Sequence, residues 1–124
     1  MEKELKVIKA LGQETRFRIV HILVKSGRGL CICEIMDALK KPEYDVSRSL
    51  NILKNAGLIK STRKGKVKLF EIRSETEFEN NTKRMFKNIN PEKGSVLKRD
   101  LELLEKRLKL RINDCCVVTY QKEK

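Results

Sequence analysis

"GLCICEIMDALKKPEYDVSRSLNILKNAGLI", residues 29–59, decides the fold. Wound as a helix at about 100° per residue, its second half separates into two faces. Val46, Leu50 and Leu53 gather on one side as a core stripe, and Tyr44, Ser47, Arg48, Asn51 and Asn55 gather on the other. Pro42 marks the start of this helix and Gly57 its stop, giving a helix over about 43–56. Upstream, "EIMDALK" reads as a helix of two turns, preceded by "LCIC" as a brief extended stretch. The outer face of the second helix is polar and mostly uncharged, whereas an ordinary solvated face is more often Glu and Lys. Arg and Asn are the side chains that make bidentate contacts to guanine and adenine edges in the major groove. Ser47 and Tyr44 suit bases or phosphates.

Working outward, "EKELKVIKAL" and "TRFRIVHILVK" each carry an apolar face at helical spacing, broken by Gly12 and by Gly27 and Gly29. After Gly57 the period changes. "LIKSTRKGKVKLFEI" holds two strand-like runs joined around Lys64-Gly65, the pattern of a hairpin. Residues 74–89 are polar and weakly periodic, with Phe78, Met85, Phe86 and Ile89 as anchors, and "NPEKG" reads as a linker or turn. From Ser95 to Ile112 the spacing of Leu97, Leu101, Leu104 and Leu108 predicts one long helix whose stripe suits either intrachain packing or helix pairing. Residues 1–112 are thus expected as one domain and 113–124 as a cysteine-bearing tail.

The net charge is +12 over 124 residues. Residues 40–73 hold ten Lys/Arg against three acidic residues, a net +7 in about a quarter of the chain. Concentrated beneath and beyond the polar helix face, this charge suits a polyanion. The hairpin residues Arg63, Lys64 and Lys66 would reach the DNA backbone as a wing. No run of apolar residues approaches the roughly 18 of a membrane span. The amphipathic start lacks a secretory apolar core. The expected address is cytoplasmic, where thiols stay reduced.

Four cysteines fall in two pairs, Cys31/Cys33 and Cys115/Cys116. An extended 30–33 would turn Cys31 and Cys33 to one side, while a helix would point them about 200° apart. Their place before Glu34, near a helix N-terminus, favours thiolate. Buried cysteines acting as small hydrophobes are the plain alternative. Adjacent Cys115 and Cys116 point oppositely in an extended tail, so one of them, Cys116 by preference, would join the first pair. Three sulfurs without a nearby His suit thiophilic ions better than four-coordinate zinc. The single histidine, His21, lies in an apolar helix and reads as filler. No oxyanion or cofactor motif accompanies it, so an enzyme is not expected.

"IKALGQETRFRIVHIL", "LCICEI", "DVSRSLNILKNAGLI" and "RKGKVKLFEI", in that order over about residues 5–73, resemble the ArsR/SmtB family of winged helix-turn-helix repressors. The resemblance implies a mainly α fold with a β-hairpin wing, a homodimer formed by the first and last helices, and operator DNA as partner. "LCIC" resembles the inducer motif of the family's arsenic-sensing branch, in which As(III) or Sb(III) takes three thiolates. The family's zinc-sensing site of Asp, His and Glu on the last helix has no counterpart here. Cadmium, lead, copper(I) and a thiol-redox switch remain the alternatives.

Overall fold

In a computed structural model the structure describes residues 1–111. Six helices and one hairpin follow in the order α1 (Glu2–Leu11), α2 (Glu14–Ser26), α3 (Ile32–Leu39), α4 (Glu43–Asn55), β1 (Ile59–Lys64), β2 (Val67–Ile72), α5 (Glu77–Lys87) and α6 (Val96–Leu108). The expected mainly helical fold with a hairpin wing is therefore the observed one. None of the described helices is long and apolar enough to cross a membrane.

α2 is the centre of the fold. Ile19, Val20, Ile22, Leu23 and Val24 are buried on it, and it packs against α1, α4, α5 and α6. Its chain stops at Gly27, whose φ of 66° is the left-handed cap conformation that glycine adopts without strain. α3 and α4 add Ile35, Met36, Leu39, Val46, Leu50 and Leu53 to the same core. The turn between them is short: Lys40 takes a left-handed φ of 55° and Pro42 opens α4.

The hairpin pairs antiparallel from Ile59↔Ile72 to Lys64↔Val67. This leaves a two-residue loop, Gly65-Lys66. Only its first position has positive φ, the type II′ pattern whose twist matches the flanking strands. Leu30 bridges Phe70 through N–H···O bonds of 2.9 and 2.8 Å, which ties the segment before α3 to the wing.

One sequence expectation needs correction. The polar stretch 74–89 contains a full helix, α5. Its N-terminus is a reciprocal capping box: the Thr76 hydroxyl accepts from the Glu79 N–H at 3.1 Å, and the Glu79 carboxylate accepts from the Thr76 N–H at 3.1 Å. Phe86 is buried completely and its ring lies 4.8 Å from that of Phe17, while Phe78 and Met85 stay exposed. The leucine stripe of the last helix is largely spent within the chain. Leu104 is in the core, and Leu101 and Leu108 pack against it, on α3 and α2.

Candidate nucleic-acid interface and thiol cleft

α4 presents the two predicted faces. Val46, Leu50 and Leu53 are buried, while Tyr44, Arg48, Asn51 and Asn55 are exposed and Ser47 is half-buried. Tyr44, at 71% exposure, is a large ring held away from any core. Arg63, Lys64 and Lys66 are exposed on the hairpin. An exposed polar helix face flanked by a basic loop matches how a recognition helix and wing address a groove and its phosphates.

The cysteines sit at the base of this unit. The segment Leu30–Cys33 is not extended throughout. Leu30 is in the bridge and Cys31 is extended as the N-cap of α3, but Cys33 already lies in the helix. A helix begins here because Glu34, at its third position, turns back to accept from the Cys31 N–H at 3.0 Å. The two cysteines nevertheless line the same space. Cys31 and Cys33 both line a cleft of about 330 Å3, which is closed by Ser47, Leu50 and Asn51 of α4 and by Lys66, Val67, Lys68 and Phe70 of the wing. Cys31 is buried and Cys33 partly open. Cys115 and Cys116, the predicted additional ligands, lie outside the described residues. Among the described residues no three His, Cys, Asp or Glu converge as a metal cage.

Three ion pairs, none anticipated from sequence, fasten α6 and the residues just after it beneath the site, and the Arg18–Asp100 pair is buried on both sides. Arg18 donates to both oxygens of Asp100 at 2.8 and 2.9 Å and to the Leu39 carbonyl at 2.9 Å. Arg107 donates to Asp37 at 2.6 Å. Arg111 forks onto Glu34 at 2.6 and 2.7 Å and reaches the Gly29 carbonyl at 2.8 Å. Glu34 and Asp100 are fully buried, so each carboxylate depends on its arginine for compensation. The Asp100 hydrogen bonds raise the Arg18 guanidinium above its already high value. The available signal was charge inside apolar helical faces, which period counting sets aside as noise.

His21 is also fully buried, and neither ring nitrogen has a hydrogen-bond partner among the described residues. Burial holds its imidazole below the ordinary value of 6.5; the nearby Lys25 ammonium adds to this and Asp100 opposes it. It occupies the core as a neutral ring, in keeping with the reading as filler.

Comparison with known proteins agrees with this geometry. The family described as bacterial regulatory protein, arsR family, matches residues 13–61. An uncharacterized helix-turn-helix transcriptional regulator of Methanocaldococcus jannaschii is 44% identical over 64 residues, 52% of this chain and 71% of that one. A putative arsenical resistance operon repressor of Halobacterium salinarum is 35% identical, covering 57% of this chain and 55% of its own. A cadmium resistance regulatory protein homolog of Staphylococcus aureus is 33% identical, covering 56% and 57%. The chain thus spans a little over half the length of both resistance regulators. Among solved structures, the homodimeric winged helix-turn-helix domain of a possible ArsR-family regulator from Mycobacterium bovis superposes with a TM-score of 0.59 at 23% identity. That match covers 69% of this chain and 73% of the other. Motif order, a helix with an exposed polar face beside its wing, and these relatives lead to one conclusion: the chain belongs to the ArsR family of winged helix-turn-helix transcriptional regulators.

Proposed function

We propose that this protein is a homodimeric transcriptional repressor that leaves its operator when As(III) or Sb(III) binds Cys31, Cys33 and a thiolate of the tail, Cys116 or Cys115. The observation that carries this reading is the shared cleft: both cysteines line the space that Ser47 and Asn51 of α4 and Lys66 of the wing also line. A ligand gripped there acts on the same atoms that address DNA. Arg111, bonded to Gly29 and Glu34, brings the chain to the cysteine end of α3. Cys115 and Cys116 follow four and five residues later, a reach of at most about 14–18 Å. The printed names of the relatives, arsenical and cadmium resistance regulators, support a thiophilic inducer.

For the dimer, the supporting feature is apolar surface left open after folding. Leu5 and Ile8 of α1 are 48% and 57% exposed, and Phe78 and Met85 of α5 are 37% and 50% exposed. Each pair lies on one face of its helix, as a helical pairing surface requires. A two-fold dimer would set its reading helices about 34–36 Å apart on a palindromic site. The regulator would work in the cytoplasm, where reducing conditions keep its thiols available.

Arsenite titrated into a complex of the reduced protein with a fluorescently labelled operator, selected from random duplexes, tests the proposal. Anisotropy should fall to that of free DNA, and Cys31→Ser or Cys33→Ser should abolish the fall. Unchanged anisotropy removes the metalloid inducer. Release by cadmium but not arsenite would replace it with the second reading, a soft divalent ion on the same thiolates, which the cadmium-resistance relative favours.

A further inference from the structure

α4 has a second basic flank, on the side away from the wing. On the wing side, Lys54 donates to the Ser61 hydroxyl of β1 at 3.1 Å, and Ser47 and Leu50 share a cleft with the hairpin. Ile52 and Ala56 lie about 120–180° round the helix from Ser47 and Leu50. Together with Asn55 they line a separate concavity of about 320 Å3, completed by Lys6, Lys9 and Ala10 of α1 and Arg16 of α2. Lys6 and Lys9 are exposed and Arg16 is half-buried. Arg16 is pinned in place by its Nε, which donates to the Ala10 carbonyl at 2.7 Å, while its Nη nitrogens donate to no atom among the described residues. The neighbouring carboxylate, Glu14, is turned to Arg18 at 3.5 Å. Three cations thus line one concavity that no carboxylate enters. Gathered in this way they repel one another until an anion joins them.

We propose that Lys6, Lys9 and Arg16 form a second phosphate clamp, which holds the operator backbone on the side of α4 opposite the wing. This rests on the reading of the chain as an operator-binding dimer. Asn55 belongs both to the exposed polar face of α4 and to the concavity, so the clamp continues the surface that addresses DNA. The Nη end of a fixed guanidinium matches two phosphate oxygens, and the lysines act as point charges beside it. The place of the clamp determines which phosphates it takes. Lys9 follows Leu5 by one turn of α1, about 40° round the helix, so the clamp lies between the apolar pairing surface and α4. In a two-fold pair the two clamps fall between the reading helices, and the wings lie outside them. The phosphates held are those of the spacer between half-sites. Affinity then depends on the spacer's backbone charge and not on its base sequence.

The test uses the full chain, reduced, and anisotropy of the selected operator across a salt series. Arg16 also ties α1 to α2, so the exposed lysines carry the test as the double variant Lys6→Gln/Lys9→Gln. For each lysine seated on a phosphate the slope of log K against log salt flattens by about 0.9, or about 1.8 per subunit for the pair. From about 50 to about 200 mM salt, the wild type should therefore lose about tenfold more affinity per subunit than the variant. Lys98→Gln/Lys106→Gln, an equal loss of charge from the exposed side of α6, should leave the slope within about 0.5 of wild type. An operator with uncharged methylphosphonate linkages in the spacer should bind the wild type about tenfold more weakly and the Lys6→Gln/Lys9→Gln variant within about twofold of its natural duplex. An equal slope change in both double variants overturns the proposal, because the effect is then one of net charge. Equal sensitivity of wild type and variant to the methylphosphonate spacer overturns it as well. A wild-type chain that binds no duplex removes the operator-binding reading and the clamp with it. A wild type that binds its operator, with Lys6→Gln/Lys9→Gln matching it in affinity and slope, removes the clamp alone.

Discussion

Replacing Asp100 by Ala tests what holds α6 in place and, through it, the geometry of the reading unit. Asp100 is fully buried and accepts two bonds from Arg18, which is 4% exposed and also donates to the Leu39 carbonyl at the end of α3. Removing the carboxylate leaves a guanidinium in the interior with the Leu39 carbonyl and the more distant, exposed Glu14, 3.5 Å away, as partners. Breaking such a pair from one side costs about 3–5 kcal/mol. The whole stability of a domain this size is about 5–15 kcal/mol. With a urea slope near 2 kcal/mol per molar, the midpoint should fall by about 2 M. Urea unfolding followed by circular dichroism, at one fixed protein concentration so that dimerisation does not intrude, gives the number. The Arg18→Met/Asp100→Leu double variant should recover at least half of the loss, because two apolar side chains remove both charges together. Recovery stays incomplete because the Leu39 carbonyl loses its donor. A loss below about 1 kcal/mol for Asp100→Ala, or a double variant no more stable than the single one, would refute the reasoning.

Arg48→Ala or Asn51→Ala should weaken binding to the selected operator by about 1–3 kcal/mol while leaving binding to random duplex nearly unchanged, as competition anisotropy will show. Lys64→Gln and Lys66→Gln should act on both duplexes alike. Each should flatten the slope of log K against log salt by about 0.9 if its ammonium sits on a phosphate. His21 makes stability depend on pH with a definite sign. Its imidazole is held below 6.5 in the folded chain, so the unfolded chain takes up the proton first. Its contribution is intact above about pH 6.5 and is lost as pH falls below it, by at most about 1.4 kcal/mol per unit. His21→Leu should remove that component, and parallel melting curves of the two proteins between pH 5 and 7.5 would expose an error of sign. Finally, Leu5→Lys/Ile8→Lys should shift the particle mass in light scattering toward the monomer; an unchanged mass would place the pairing surface elsewhere.

Much of the fold could be read along the chain because its signals are local. The two faces of α4 follow from a 3.6-residue period, and burial of Val46, Leu50 and Leu53 matches it. The wing follows from a change of period and a glycine at a turn that demands positive φ. α5 is weakly legible in the sequence because its outer positions are polar and two of its apolar residues face outward. Its capping box, Thr76 with Glu79, was nevertheless present as a legible T-x-x-E start. The stretch "LCIC" reads as briefly extended along the sequence, but the Glu34 carboxylate capping the Cys31 N–H starts the helix there.

By itself, then, the order of residues determined which side chains form the exposed polar face of α4, where the wing turns and that thiols stand at the start of α3. Those properties depend on neighbours within a few positions. Only the tertiary structure decided that both cysteines line a cleft shared with α4 and the wing, and that α6 is fastened beneath them. Arg18 and Asp100 are 82 residues apart in sequence and Arg111 and Glu34 are 77 apart. A carboxylate's partner at such a separation is chosen by three-dimensional packing and the cost of burying charge, which no local period encodes.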